Sequence, residues 1–204
     1  MKKLSSLIVI AGVCLLQACG GGTGNRDSVD SAKTMNANKD TTPRASDNDT
    51  HDSSKVATTP VDKETADFAV AAANGGMMEV ELGKLAQQNG ASQRVKDFGK
   101  MMVDDHTKVN DQLKSLASAK NITLPANLGD NAQKHVNDMS KKTGKDFDKA
   151  YMSMMVDDHK KDIKDFEKAG KDLKDSDVKN LALQSLPTLQ KHLDSAQAIY
   201  KMVK

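Results

Sequence analysis

The sequence predicts an all-α protein, a four-helix bundle with a short fifth connecting helix, and three observations carry that prediction. From about Asp62 onward, Ala, Leu, Lys, Asp, Gln and Met recur with helical spacing, while β-branched runs are absent. Turn signals at Asn89-Gly90, Asn121 to Gly129 with Pro125, Thr143-Gly144 and Asp175-Ser176 cut this stretch into four long pieces and one short one. The hexapeptide Met-Met-Val-Asp-Asp-His occurs at Met101 to His106 and again at Met154 to His159, 53 residues apart, each time inside a helical pattern.

The first 18 residues read as a lipoprotein signal: Lys2 and Lys3, an apolar run from Leu7 to Leu16, then Leu16-Gln17-Ala18-Cys19. That tetrapeptide is a lipobox, in which a small residue precedes the cysteine that receives the lipid. An apolar run of about ten residues is too short to span a bilayer, which takes ~20. The chain is therefore expected in the cell envelope, anchored to a membrane through Cys19 and placed on the periplasmic face of the outer membrane. Lipidation occupies the Cys19 sulfur and the cleavage that follows removes Cys14, so no thiol remains for a disulfide, a cysteine nucleophile or a Cys-type metal site. Losing Lys2 and Lys3 leaves 28 basic residues facing 28 acidic ones, and no net basic field remains for nucleic acid. No feature identifies a protein partner.

Residues 19–61 read as the lipidated cysteine and a disordered tether. Residues 20–61 contain no Leu, Ile, Phe, Tyr or Trp and cannot bury enough surface to offset ordering. As a coil, ~40 residues reach roughly 35 Å. His51 falls here as a solvated linker residue. Residues 62–204 form one domain, which holds all four Phe, both Tyr and nine of the eleven Met.

The helices follow in order. The first spans about Lys63 to Gln88 and stops at Asn89-Gly90; the second is capped by Ser92 and runs to about Lys120. A short helix covers about Asn131 to Lys142 and ends at Thr143-Gly144. The fourth runs from about Lys145 to Ala169, and the fifth follows Asp175 or Ser176 to near the C-terminus. Short turns make the first and last pairs antiparallel hairpins. The connector from Lys120 to Lys145 is long enough to cross the bundle lengthwise, which would set the helices carrying the two hexapeptides parallel.

The histidines lie on apolar faces. Around His106, Phe98, Met102, Val109 and Leu113 stand at −8, −4, +3 and +7; around His159, Met152, Met155, Ile163 and Phe166 stand at −7, −4, +4 and +7. His192 has Leu189, Ala196 and Ile199 at −3, +4 and +7. With a lengthwise crossover, His106 and His159 lie ~21 Å below one bundle end, and His192 and Glu79 roughly 15 Å below it, at 1.5 Å rise per residue. Glu79 and Glu81 are both candidates for an inward carboxylate. Three histidines and a carboxylate in one slab are a ligand set that iron, zinc or copper accepts. The competing reading is a buried polar network that fixes helix register, with Asp104-Asp105 and Asp157-Asp158 capping or solvated.

Lesser features carry two readings each. The methionine pairs 77/78, 101/102 and 154/155 suit Cu(I) or simply fill the core. Gly75-Gly76 costs ~1 kcal/mol per glycine in helix propensity, so it permits close helix approach or ligand access. Pro187 is expected to kink the last helix about one turn before His192, and His135 is expected on the surface.

The stretch Gly75 to Ala86, the two Met-Val-Asp-Asp-His segments, Phe147 to Tyr151 and Leu186 to Leu193 together resemble a bacterial family, "domain of unknown function 4142", of exported helical proteins often labelled as outer-membrane proteins or lipoproteins. The resemblance covers about Asp62 to Tyr200. It implies a ferritin-like four-helix bundle and supplies no activity. Ferritin-like di-iron proteins carry Glu-x-x-His on two helices, but Val103 and Val156 stand three residues before His106 and His159. That departure makes a di-iron oxidase the weakest expectation. A mononuclear site of His106, His159, His192 and Glu79 or Glu81, in metal handling or envelope stress protection without catalysis, is the leading one; a metal-free structural or interaction module is the alternative.

Overall fold

The computed structural model describes residues 27–40 and 61–204, and among them every regular element is a helix: α1 (Ser28–Asp40), α2 (Lys63–Asn89), α3 (Gln93–Ala119), α4 (Asp130–Ser140), α5 (Gly144–Asp172) and α6 (Ser176–Val203). The signal peptide, Cys19 and His51 lie outside the described residues. No described helix is long and apolar enough to cross a membrane.

Side-chain oxygens start the long helices. Asp62 accepts from Thr65 N at 3.2 Å and Thr65 Oγ1 at 2.9 Å, opening α2. Asp175 accepts from Asp177 N at 3.1 Å and Val178 N at 3.0 Å, opening α6. Ser92 occupies the cap position of α3, as its sequence suggests, yet its side chain makes no cap bond. The buried carboxylate of Asp148 on α5 instead binds the backbone entering the helix, accepting from Ala91 N at 3.0 Å and Ser92 N at 2.8 Å. A charged acceptor is worth more than a hydroxyl at a helix N-terminus, and it also ties the start of α3 to the start of α5.

Those ties set the topology. Gly90 pairs with Gly144 at one end, and Lys120 at the end of α3 bridges Asp175 at the start of α6 by 2.7 Å at the other. Helices α3 and α5 therefore run parallel, and the connector returns lengthwise with α4 packed mainly on α2. Closest packing is within the hairpins α2–α3 and α5–α6. An added Cβ on Gly83 would stand 2.7 Å from Gly99 O, and one on Gly99 would stand 2.7 Å from Gly83 O, so these two glycines let α2 and α3 touch backbone to backbone. Helix α6 continues through Pro187 without a break.

Helix α1 corrects the expectation of an unstructured tether. Its Ala32 is 1 % exposed, and Asn36 pairs with the connector backbone, donating to Thr123 O at 2.9 Å and accepting from Thr123 N at 2.7 Å. Lys39 donates to Asn121 O at 2.7 Å, and Asp27 accepts from the first N–H of α4, on Asp130. Composition misses this helix because hydrogen bonds to a distant loop, rather than an apolar face, hold it.

The apolar interior falls into two clusters. One gathers Leu82, Phe98, Met102, Phe147, Tyr151 and Met155; the other gathers Ala69, Leu113, Ala169, Leu173, Val178 and Leu181. Along each long helix the polar positions 79, 106, 159 and 192 fall between them. The histidines form a layer that divides the core.

Candidate metal centre

Each long helix contributes one residue to that layer: Glu79 from α2, His106 from α3, His159 from α5 and His192 from α6. All four are buried, Glu79 to 2 % exposure and His159 and His192 to 0 %. Ring centroids stand 5.8 Å apart for His106 and His159, and 5.3 Å for each of the other two pairs. One ring nitrogen from each histidine lies within 4.8 Å of the other two.

The proton on each ring follows from its partner. Met155 O can only accept, so the bond at 2.9 Å places the N–H of His159 on Nδ1. His106 Nδ1 lies 3.0 Å from Glu79 Oε2, an ion-pair distance that favours the N–H on that nitrogen, and His192 Nε2 donates to Asp105 Oδ2 at 2.8 Å. Burial drives the pKa of His106 and of His159 down to about 4 and lowers that of His192, so at neutral pH each ring carries one proton. That leaves three bare nitrogen lone pairs: His106 Nε2, His159 Nε2 and His192 Nδ1.

Two of those lone pairs face each other at 3.3 Å. Without a cation or an extra proton between them, that approach is repulsive. It matches the nitrogen–nitrogen edge of about 3.3 Å in a tetrahedron with ~2.0 Å metal–nitrogen bonds. His106 Nε2 and Glu79 Oε1 are both buried with no hydrogen-bond partner, and Glu79 Oε1 lies 3.6 Å from His159 Nε2. Both orphans belong to the same layer as the facing pair, where they could serve as further ligands. Burial also pushes the Glu79 carboxyl up to about 7, so the buried carboxylate lacks a compensating positive charge.

Of the sequence candidates, the structure brings together His106, His159, His192 and Glu79. It turns Glu81 away: that side chain is 46 % exposed and paired with Lys84 at 2.7 Å. The two glutamates are two residues, or about 200°, apart on one helix, so only one can face inward. Met102 and Met155 are buried in the apolar cluster with Met78, Met101 and Met154 packed against it, which is the core-filling role. His135 is exposed.

Sequence reasoning missed Asp105. Its carboxylate crosses from α3 to His192 on α6, a contact between helices that spacing along α3 does not display. Its counterpart in the second hexapeptide, Asp158, has a buried Oδ2 with no partner, so the repeat is used asymmetrically. Asp162 was also missed; burial raises its carboxyl to about 8. The two glycines divide the readings between them. An added Cβ on Gly76 would collide with Asn110 Oδ1, whereas one on Gly75 meets nothing within 4 Å: Gly76 serves close approach and Gly75 borders open space.

A family model described as "Domain of unknown function (DUF4142)" matches residues 50–199. No curated protein and no solved structure matches the chain.

Proposed function

Because the chain belongs to the domain of unknown function 4142 family, whose description carries no activity, we propose from the site itself that this protein binds one divalent transition-metal ion through His106, His159, His192 and Glu79, and handles that metal without catalysing a reaction. One observation carries the reading. Each imidazole gives its single N–H to an oxygen, and the remaining lone pairs cluster; an outer carbonyl or carboxylate fixing the tautomer is the habitual arrangement around metal-bound histidine. Imidazole with a carboxylate suits zinc, copper, nickel or iron. A dication would balance the carboxylates of Glu79 and Asp105, leaving a neutral buried unit.

The four long helices are read here as a ferritin-like four-helix bundle, supported by the lengthwise connector and the parallel course of α3 and α5. Val103 and Val156 supply no carboxylate three residues before either histidine, which disfavours a di-iron oxidase. The envelope location rests on the lipobox at Cys19. If Cys19 is acylated, the eight residues from it to Asp27, which is tied to the start of α4, span at most about 27 Å. The domain would then stand close to the membrane, with the α3–α4 connector on the near side.

The test is direct: strip the purified full chain with chelator, titrate Zn(II), Co(II) and Fe(II), and count bound metal by mass spectrometry. One equivalent of metal at submicromolar affinity, lost in His106→Ala and His159→Ala, is the expected result. The rival reading, a metal-free network fixing helix register, is favoured by the same 3.3 Å contact if His192 carries a second proton. No metal binding at micromolar concentration, with the same variants changing only Tm, would establish that rival.

A further inference from the structure

A cavity lined by residues of all four long helices opens beside the histidine layer. Its lining includes Glu79, His106 and His192 of that layer, while His159 does not line it. The edge-to-face pair Phe68–Phe166, with ring centroids at 5.1 Å, supplies apolar wall. Asp105, whose side chain is 37 % exposed, touches both solvent and His192 Nε2; Asp162 and Asn110 line the same cavity. The only basic wall residue, Lys161, pairs with Asp165 at 2.7 Å.

We propose that this cavity is the route by which a divalent metal ion enters and leaves the histidine layer, with Asp162 as the carboxylate that stages the incoming cation and Gly75 as the opening that keeps the route clear. The inference rests on the metal reading above and makes the site an exchangeable one rather than a permanent structural one. Three lines support it. Asp105, Asp162 and Glu79 form a series of carboxyl groups along the lining, set against one already paired lysine, so an entering cation meets oxygen ligands and no unpaired lysine. The innermost member, Glu79, is 2 % exposed and its Oε1 has no partner, so the series ends on a side chain prepared for a ligand. At Gly75 an added Cβ would meet nothing within 4 Å on a helix where Gly76 is tightly covered. A helix tolerates glycine poorly, and here its absence of side chain preserves space rather than a close contact.

The experiment separates rate from affinity. Metal-free full-length protein is mixed with Co(II) in a stopped-flow spectrometer, and release is followed by an EDTA chase, for the wild type, Gly75→Val and Asp162→Asn. Gly75→Val should slow uptake and release alike by about tenfold, leaving Kd within about threefold, because it narrows the path without touching a ligand. Asp162→Asn should slow uptake by roughly three- to tenfold, because an amide is a weaker staging ligand for a divalent ion than a carboxyl group that can give up its proton to the metal. Wild-type rates in both variants, or a loss of affinity in Gly75→Val as large as its loss of rate, would overturn the route while leaving the metal site standing. Failure of the wild type to take up Co(II) would instead overturn the metal reading and the route together.

Discussion

Glu79→Gln should stabilise the metal-free protein at pH 8 and weaken its hold on metal. Burial moves the Glu79 carboxyl from its ordinary 4.5 up to about 7. A group whose pKa is raised by folding contributes stability that is complete below its unfolded value and lost as pH rises through the folded one. The loss therefore accumulates between pH 4.5 and about 7. At about 1.4 kcal/mol per tenfold change in equilibrium, it amounts to about 3 kcal/mol at pH 8. Glutamine keeps the shape and never ionises, but gives up the charge-assisted bond from His106 Nδ1, a cost of about 1 kcal/mol. The net gain is about 2 kcal/mol, or roughly 4–8 °C in Tm for a domain of this size. Near pH 4.5 the glutamate is already neutral and the gain should vanish. Urea unfolding followed by circular dichroism in EDTA, at pH 8 and pH 4.5, measures both. In the metal-bound form the variant lacks its only anionic ligand, and Zn(II) affinity should fall by about 10–100-fold. Destabilisation by Glu79→Gln at pH 8 without metal would refute the reasoning, because the carboxylate would then serve the fold rather than a cation.

Asp105→Asn retains an acceptor for His192 Nε2 but removes the charge behind that ring; Zn(II) affinity should drop about tenfold while Tm in EDTA moves by no more than about 2 °C, as a calorimetric titration and a thermal melt would show. Asn36→Ala removes both bonds to Thr123 and should cost about 1–2 kcal/mol of α1 docking, seen as faster hydrogen exchange and earlier proteolysis across Ser28–Asp40, with the exchange of α3 and α5 unchanged. Gly99→Ala drives a Cβ to within 2.6 Å of Ala86 Cβ and 2.7 Å of Gly83 O, and should destabilise by about 1–3 kcal/mol. Gly75→Ala, which meets open space, should be neutral or gain up to about 1 kcal/mol from helix propensity; equal effects at the two glycines in denaturant melts would contradict the packing described.

Much of the framework was legible in advance. The 3.6-residue period located α2 to α6 to within a few residues, and the turn signals separated them. The length of the connector allowed the lengthwise return that makes α3 and α5 parallel. The apolar neighbours of His106, His159 and His192 placed all three rings inside. Helix α1 was not legible, because it buries little beyond Ala32 and Asn36 and is secured by pairing with Thr123, far along the chain. Ser92 looked like a cap, yet its side chain makes no cap bond, and Asp148 from another helix holds the backbone there instead.

The sequence by itself determined which helices exist, which of their faces turn inward and roughly how deep each histidine lies, because these depend on local periodicity and rise per residue. Only the tertiary structure decided that Glu79 rather than Glu81 joins the layer, that Asp105 holds His192, and that three protons point outward while three lone pairs are left bare. Those facts depend on which atoms of different helices meet. Helix packing turns a repeated hexapeptide into two unequal halves: one aspartate orients a ring, and its counterpart keeps one buried oxygen with no hydrogen bond.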